Sequence, residues 1–487
     1  MKRLAQIVLI VLVAIVSIVA IRTLRLQSGQ PLPGTPATIE IDARAAADRL
    51  AGAIRFPTVS WGDATKRDPA AFLGLHEYLL TQFPPVEGVL SREVIATYSL
   101  LYTWPGRRPD LPPVILTAHL DIVPAEMPGR SWQHPPFSGA IDEDSIWGRG
   151  AIDDKSGVLG ILEAVSALIA SGFTPERTVY LAFGHNEEGD DDASGAAAIA
   201  ARLGRLGAHD GWLLDEGGLI YDHVIGVPRP VALVGITEKN PVIFELRVTA
   251  AGGHASMPPA ESAVGILGRA LDRLEHHPMP ARLDGAAREM FTTLTPDMKM
   301  PLRAVFANLW LTKPIVLWRM GRTPETSAAV RTTIAPTMLE GSPKVNVLAT
   351  SARAMLNVRL LPGDSAEAVA AHMRGAIADD RVEVVAVAGA AAPPVPISPT
   401  GTTEFVRLQS AIRAVYPDVV VSPFLTMAAT DSRHYVRIAP NIYRFLPIRL
   451  AGELELVHGV DERVRIDAYE KAIRIYATII RDLAGGK

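Results

Sequence analysis

A doubly wound, mostly parallel α/β sheet, interrupted by an inserted ferredoxin-like α+β lid, is the fold that the sequence predicts. Three observations predict it. Short apolar runs rich in β-branched residues alternate with helical patterns through the first half of the chain. Each of those runs stops abruptly at a cluster of polar residues. Beyond residue 239 the pattern changes to strands and amphipathic helices of a second, smaller unit.

Met1-Lys2-Arg3 precedes an apolar run from Leu4 to Ile21, broken only by Gln6 and Ser17. With its flanks that run is long enough to cross a bilayer. No small-x-small cleavage pattern precedes Arg22, so the segment reads as an uncleaved anchor rather than a signal peptide. Lys2 and Arg3 favour an N-terminus on the inside, against the opposing charge of Arg22 and Arg25. The rest of the chain is therefore expected on the periplasmic or extracytoplasmic side. Gln27 to Thr38, rich in Gly and Pro, reads as a linker that ends an anchor segment of residues 1–38.

Residues 39–238 carry the first part of the α/β domain. Val114 to Ala118 runs into His119-Leu-Asp121, and Thr178 to Phe183 runs into Gly184-His-Asn-Glu-Glu188. Trp212-Leu-Leu runs into Asp215-Glu-Gly-Gly218. Helices are expected over Gly157–Ser171 and Ala193–Leu206. In such sheets ligands bind beyond the carboxyl ends of the strands, where all three polar clusters fall. The insert, residues 239–392, reads as strand Pro241–Ala250, helix Glu261–Leu274, strand Arg353–Leu361, helix Ser365–Asp379 and strand Arg381–Val387. Gly389 to Pro399 is the expected return linker, and residues 393–487 complete the first domain. Pro278 to Val330 shows no clear period and receives no assignment.

Composition narrows the chemistry. Hydrophobic residues make up 48% and charged residues 21% of the 487, which excludes global disorder. The net charge of -4 lacks the basic footprint of a nucleic-acid binder. The absence of cysteine excludes disulfides, thiolate nucleophiles and thiolate zinc sites. Any metal must be held by His, Asp and Glu. Gly148 to Ser156 is glycine-rich and enters a helix, but Asp154 stands where a phosphate loop needs Gly before its Lys.

Two divalent ions a few ångströms apart need about five ligands, one of them a bridging carboxylate. His119, Asp153, Glu188, Asp215 and His458 are the candidates. Asp121, two residues after His119, is placed to bind the second ring nitrogen and fix the tautomer. Glu187 can serve a water while Glu188 serves a metal. Each motif has an unremarkable alternative alone: a turn histidine, a solvated Glu pair, a surface arginine. Their joint order at strand ends carries the inference.

His119-x-Asp121, Gly148-Arg-Gly-Ala-x-Asp153-Asp-Lys155, Glu187-Glu188, Asp215-Glu-Gly217, Gly252-Gly-His254-Ala-Ser256 and His458-Gly-Val-Asp-Glu462 together resemble the zinc aminoacylase/carboxypeptidase family. Glutamate carboxypeptidase, aminoacylase, carnosinase-type dipeptidases and succinyl-diaminopimelate desuccinylase belong to it. Gly184 to Glu188 and Leu214 to Gly218 are most similar to the carboxypeptidase S and N-fatty-acyl amino acid hydrolase branch. The resemblance implies that Asp153 bridges two zinc ions across a cis Asp153–Asp154 peptide. Glu188 and His458 would complete one position, and His119 and Asp215 the other. Glu187 would be the general base and Asp121 would orient His119. The resemblance further implies that His254 stabilises an oxyanion, often across a homodimer. Arg359 would grip the substrate carboxylate and Asn346 would contact its carbonyl. Thr430-Asp-Ser-Arg433 matches a phrase near the substrate, with Ala429 in place of the usual Gly.

The activity expected is hydrolysis of the amide of an N-acyl amino acid or of a peptide's C-terminal residue, releasing a free amino acid. The alternatives are a dipeptidase on free small peptides and a non-catalytic binding protein of the same fold.

Overall fold

The computed structural model describes residues 1–127, 129–189, 194–387, 395–450 and 456–486. Ala193, the expected boundary at 392–393 and much of the expected return linker lie outside them. The first half runs α1 (Lys2–Arg25), α2 (Ala43–Ile54), α3 (Pro69–Gln82), α4 (Pro84–Val89), β1 (Ser91–Ile95), β2 (Ser99–Trp104), β3 (Val114–His119), β4 (Ala140–Ile141), β5 (Ser145–Trp147), α5 (Lys155–Ala170), β6 (Val179–Gly184), α6 (Ala196–Arg205), β7 (Trp212–Tyr221) and β8 (Val231–Glu238). The middle runs β9 (Asn240–Thr249), β10 (Gly253–His254), α7 (Ala263–His276), α8 (Gly285–Leu294), α9 (Leu302–Ala307), α10 (Leu309–Met320), α11 (Pro324–Val330), β11 (Thr333–Glu340), β12 (Val347–Leu348), β13 (Ser351–Leu360), α12 (Ala366–Ile377) and β14 (Val382–Ala386). The chain closes with α13 (Thr403–Val415), β15 (Val420–Thr426), β16 (Asn441–Leu450), β17 (Arg463–Arg465) and α14 (Ile466–Ala484).

The large sheet has the order β1-β2-β6-β3-β7-β16-β8-β15. Its centre, β6-β3-β7-β16, is parallel. β3 and β6 are buried along their whole length, as strands covered on both faces must be. Helices α5 and α14 cover one face, with Tyr469, Tyr476 and Ile480 in the same core as Leu116 and Leu181. Helix α6 covers the other, with Ile199 and Leu203 against Ile115 and Leu213. Polar caps set the helix starts. The carboxylates of Asp42 and Asp154 accept from Ala45 N and Gly157 N, and the hydroxyls of Ser262 and Thr402 do the same at α7 and α13.

The second unit has the order β11-β13-β9-β14, all antiparallel. Helices α7 and α12 pack on it around Phe244, Leu246, Leu356 and Met373. This is the ferredoxin-like arrangement expected of the sequence. Within Pro278–Val330, where the sequence shows no period, helices α8 to α11 form between Gly285 and Val330. Phe291, Phe306 and Met320 of this group share a core with Val231 and Leu233 of β8 and Val420 of β15. They therefore widen the layer beside the large sheet. Mixed apolar content, short helices and Pro314 inside α10 hid their period.

The segment read as a linker is docked. The Gln30 side chain donates to Val421 O and accepts from Val421 N, taking the place of a neighbouring strand beside β15. Ala37 N donates to Thr478 Oγ1 of α14.

One close approach fixes how β7 meets its neighbours. A Cβ built at Gly218 would lie 1.8 Å from the Leu233 carbonyl oxygen. Gly218→Ala is expected to destabilise the protein by about 3 kcal/mol. Gly268 lies inside α7 with open space around it, so Gly268→Ala should stabilise by about 0.5–1 kcal/mol. Denaturant unfolding of the two variants against the parent checks both signs.

Candidate active site

Three parallel strands deliver the site. Because β6, β3 and β7 lie side by side in register, His119, Glu187-Glu188 and Asp215-Glu216 emerge at one edge. The cap of α5 brings Asp153 and Asp154 to the same edge, and their peptide bond is cis.

His119 is buried, and its Nδ1 donates to the Asp121 main-chain carbonyl at 2.9 Å. The Asp121 carboxylate lies farther from that nitrogen, at 3.4 Å. With Nδ1 engaged, Nε2 faces Asp153 Oδ1 at 2.9 Å. The other Asp153 oxygen is 2.9 Å from His458 Nε2, which also lies 2.8 Å from Glu188 Oε1. Asp153 thus sits between two imidazoles. The donor atoms of His119, Asp153 and Glu188 all fall within 4.8 Å of one another.

Asp121 does more than face the histidine. Its carboxylate accepts from Ser60 Oγ at 2.7 Å, Glu187 N at 3.2 Å and Glu188 N at 3.0 Å. It therefore holds the backbone of the Glu-Glu pair against the end of β3. Burial raises Asp121, but the bonds from His119, Ser60 and Glu188 N prevail and keep it below the usual carboxylate range.

Asp215 and Glu216 have different surroundings. Both Asp215 oxygens are engaged within the protein, by Thr117 Oγ1 at 2.5 Å and Ser432 N at 2.8 Å. Glu216 instead groups with His119 and Asp154. The cause is a bulge. Asp215 pairs with Arg444 and Gly218 with Phe445, so Glu216 and Gly217 are extra residues on β7. Gly217 has φ 126°, a conformation that suits glycine. The sequence showed this bulge only as the paired glycines after Glu216.

Arg149 and Glu462 lock the histidine loop in place. Both are fully buried, with the guanidinium 2.7 Å from Glu462 Oε2. Arg149 also donates to His458 O at 3.2 Å, while Glu462 Oε1 accepts from Ile152 N and Asp153 N. One ion pair thereby ties the His458 loop to the loop bearing Asp153. Arg149 lies in a motif already singled out, but nothing local distinguishes it from a surface arginine.

The electrostatics are those of crowded carboxylates. Burial pushes Glu187 well above the usual range, and Glu188, Asp431 and Asp153 add repulsion against the attraction of His119. Burial likewise raises Glu216 and Asp154. Asp431 is pushed up to about 7 by burial and by Asp215 and Asp121, against the pull of Arg433. Bonds from Asp153 and Glu188 lift His458 to about 10. Such a cluster of imidazole and carboxylate donors suits a divalent cation, which would replace proton-mediated contacts with coordination.

The remaining expected residues lie on the second unit. Half-buried Arg359 donates from Nε to Asn357 Oδ1, and burial followed by the nearby Arg433 lowers its pKa. Arg433 follows the Thr430–Ser432 turn that holds Asp215 and donates to Thr430 O. His254 on β10 and Asn346 just before β12 come together, and Ala255 N donates to Asn346 O. Both are exposed, and His254 Nδ1 bonds Ser256 Oγ. Among the described residues no hydrogen bond or ion pair joins either to the cluster.

Residues 115–482 match Peptidase family M20/M25/M40. The chain is 40% identical over 442 residues to the probable carboxypeptidase S-like 2 of Dictyostelium discoideum, covering 90% of this chain and 84% of that protein. It is 38% identical over 441 residues to the N-fatty-acyl-amino acid synthase/hydrolase PM20D1 of Xenopus tropicalis, covering 89% and 85%. The crystal structure of the M20 family metallo-carboxypeptidase Sso-CP2 from Sulfolobus solfataricus shares the fold, with TM-score 0.65 and 17% identity over 90% of this chain and 98% of that one. The site geometry and these matches agree: the chain belongs to peptidase family M20/M25/M40 and is a metal-dependent hydrolase.

Proposed function

We propose that this enzyme cleaves the amide bond of N-acyl amino acids, or of C-terminal residues in peptides, at a two-metal centre that takes zinc. The convergence of His119, Asp153, Glu188 and His458, with Glu187 beside them, carries this reading. Asp153, Glu188 and His458 would hold one ion. Glu216 and His119 would hold the other together with Asp153, and Asp215 positions the bulge through Thr117 and Ser432. When bound, the ions supply Lewis-acid polarisation of the scissile carbonyl and lower the pKa of water. Glu187 takes the proton of the attacking water and returns it to the leaving nitrogen. Arg359 and Arg433 hold the carboxylate of the amino acid, a geometry that favours guanidinium groups.

The four-segment division of the chain is also our reading, with residues 239–392 as a lid on the first domain. Only Lys239 separates β8 from β9. Its buried amine donates to Ala328 O, Arg331 O and Thr333 Oγ1 where β11 begins. Closure about this point would bring His254 and Asn346 toward a bound carbonyl. Edge strand β11, with Met338 and Leu339 exposed, is read as the pairing edge of a homodimer. Helix α1 is read as a membrane anchor.

An N-acyl substrate is favoured over a free dipeptide by an apolar cavity of about 140 Å³ between α8, α11 and β15. Ile225, Met290, Phe291, Met320, Phe424 and Met427 line it. Met427 stands three residues before Thr430, and we read the cavity as the place for an acyl chain.

Five outcomes are expected. Purified enzyme should release amino acid from an N-lauroyl amino acid and lose that activity on chelation. Glu187→Gln should lower kcat by about 10²–10⁴-fold with metal content unchanged; unchanged turnover would remove Glu187 from the mechanism. Glu216→Gln should halve the bound metal measured by elemental analysis. Asp215→Asn should keep the stoichiometry and weaken affinity by about 10–100-fold. Ala329 borders the cavity, so Ala329→Trp should lower kcat/KM for lauroyl substrates at least about tenfold and spare acetyl substrates.

A further inference from the structure

Helix α10 is apolar on the side that faces away from the fold. Val316 and Met320 point inward, in the core with Phe291 and Phe306. On the outward side Trp310 is 52% exposed, Leu311 46%, Ile315 66% and Trp318 62%. A helix on the surface of a water-soluble domain carries polar residues there. Contiguous exposed apolar surface of this kind marks a contact site.

The neighbouring element indicates what covers it. The last turns of α1 are tied to the start of α10. Asn308, which is buried and caps α10, donates from Nδ2 to Val19 O and Thr23 Oγ1. Arg303 donates to Thr23 O and Leu26 O. Thr23 is the single buried residue of α1, so the apolar part of the helix before Val19 projects away from the protein. Trp310 Nε1 donates to Asn308 Oδ1, which puts its indole at the level where α1 leaves the fold. If α1 crosses a bilayer, that level is the bilayer surface.

The residue types suit that position. Tryptophan favours the membrane interface, where its ring is buried and its N–H is wet. Cations frame the apolar stripe: Lys313 and Arg319 are exposed on α10, and Arg22 and Arg25 end α1. The Arg322 guanidinium lies 4.8 Å over the Trp318 ring. Such cations suit anionic headgroups.

We propose that α10 is an interfacial helix lying in the surface of the same bilayer that α1 crosses. Leu311, Ile315 and Trp318 would sit among the acyl chains, and Lys313, Arg319 and Arg322 among lipid phosphates. This rests on the reading of α1 as an anchor. The cavity lined by Met320 begins at the end of α10, so a docked helix would bring it close to the lipid phase.

The chain has no cysteine, so single cysteines give unique labelling points. The full chain would carry an environment-sensitive fluorophore at Ile315→Cys, at Val13→Cys within α1, or at Val94→Cys. Val94 is exposed on β1, at the opposite edge of the large sheet from β15. Each would be reconstituted into phosphatidylcholine vesicles containing phosphatidylglycerol, with and without lipids brominated on the acyl chains. The label at 315 should emit to the blue of the label at 94. Bromolipids should quench it to an extent comparable with the label at 13. Emission at 315 matching that at 94, while 13 is quenched, would overturn the docking and leave the anchor standing. Absence of quenching at 13 would overturn the anchor and the docking with it. A blue-shifted but unquenched label at 315, with cross-linked dimers through that position, would assign the face to a second copy and also overturn the proposal.

Discussion

Like-charge crowding at the ends of three parallel strands is the constraint on which the rest of the structure depends. Asp153, Asp154, Glu187, Asp215, Glu216 and Asp431 converge there, and each is a source of repulsion on another. His119 and His458 supply the opposing charge within reach. In water such a cluster would spread apart. Here the backbone prevents it, because Asp121, Asp154, Asp215 and Glu462 each accept from main-chain N–H groups of other segments. The carboxylates that hold the frame leave Asp153, Glu188 and Glu216 turned toward the histidines.

That division of labour explains the buried ion pair between Arg149 and Glu462. His458 lies far along the chain from Asp153, and its loop needs a fixed attachment to reach the bridging position. A surface contact would not suffice, since exposed ion pairs contribute little. A buried pair that loses one partner leaves an uncompensated charge, which costs about 3–5 kcal/mol. The loop is thereby held to one place, with Glu462 also accepting from the amide of Asp153 itself.

A similar economy of attachment links the N-terminus to the hydrolase. Arg303 and Asn308 grip the last turns of α1, and Gln30 pairs with the edge of β15. These contacts fix the direction in which α1 leaves the protein. They also place the exposed apolar face of α10 beside it.

Much was legible in the sequence. The apolar runs that lead into His119, Glu187-Glu188 and Asp215 could be read because a buried parallel strand is a continuous apolar run, and polar residues after it must face the open edge. The insert was legible from its periodicity, since each of its elements is half exposed. Three things waited for the tertiary structure. The helices of residues 285–330 are short and pack on a sheet formed by distant residues, so no local period marks them. The role of Arg149 depends on a carboxylate that approaches only through the fold. The different surroundings of Asp215 and Glu216 come from a bulge set by how β7 pairs with β16, and pairing between strands far apart in the chain is decided by packing. The sequence alone determined which donors stand at the strand ends; only the folded pairing decided which way each of them points.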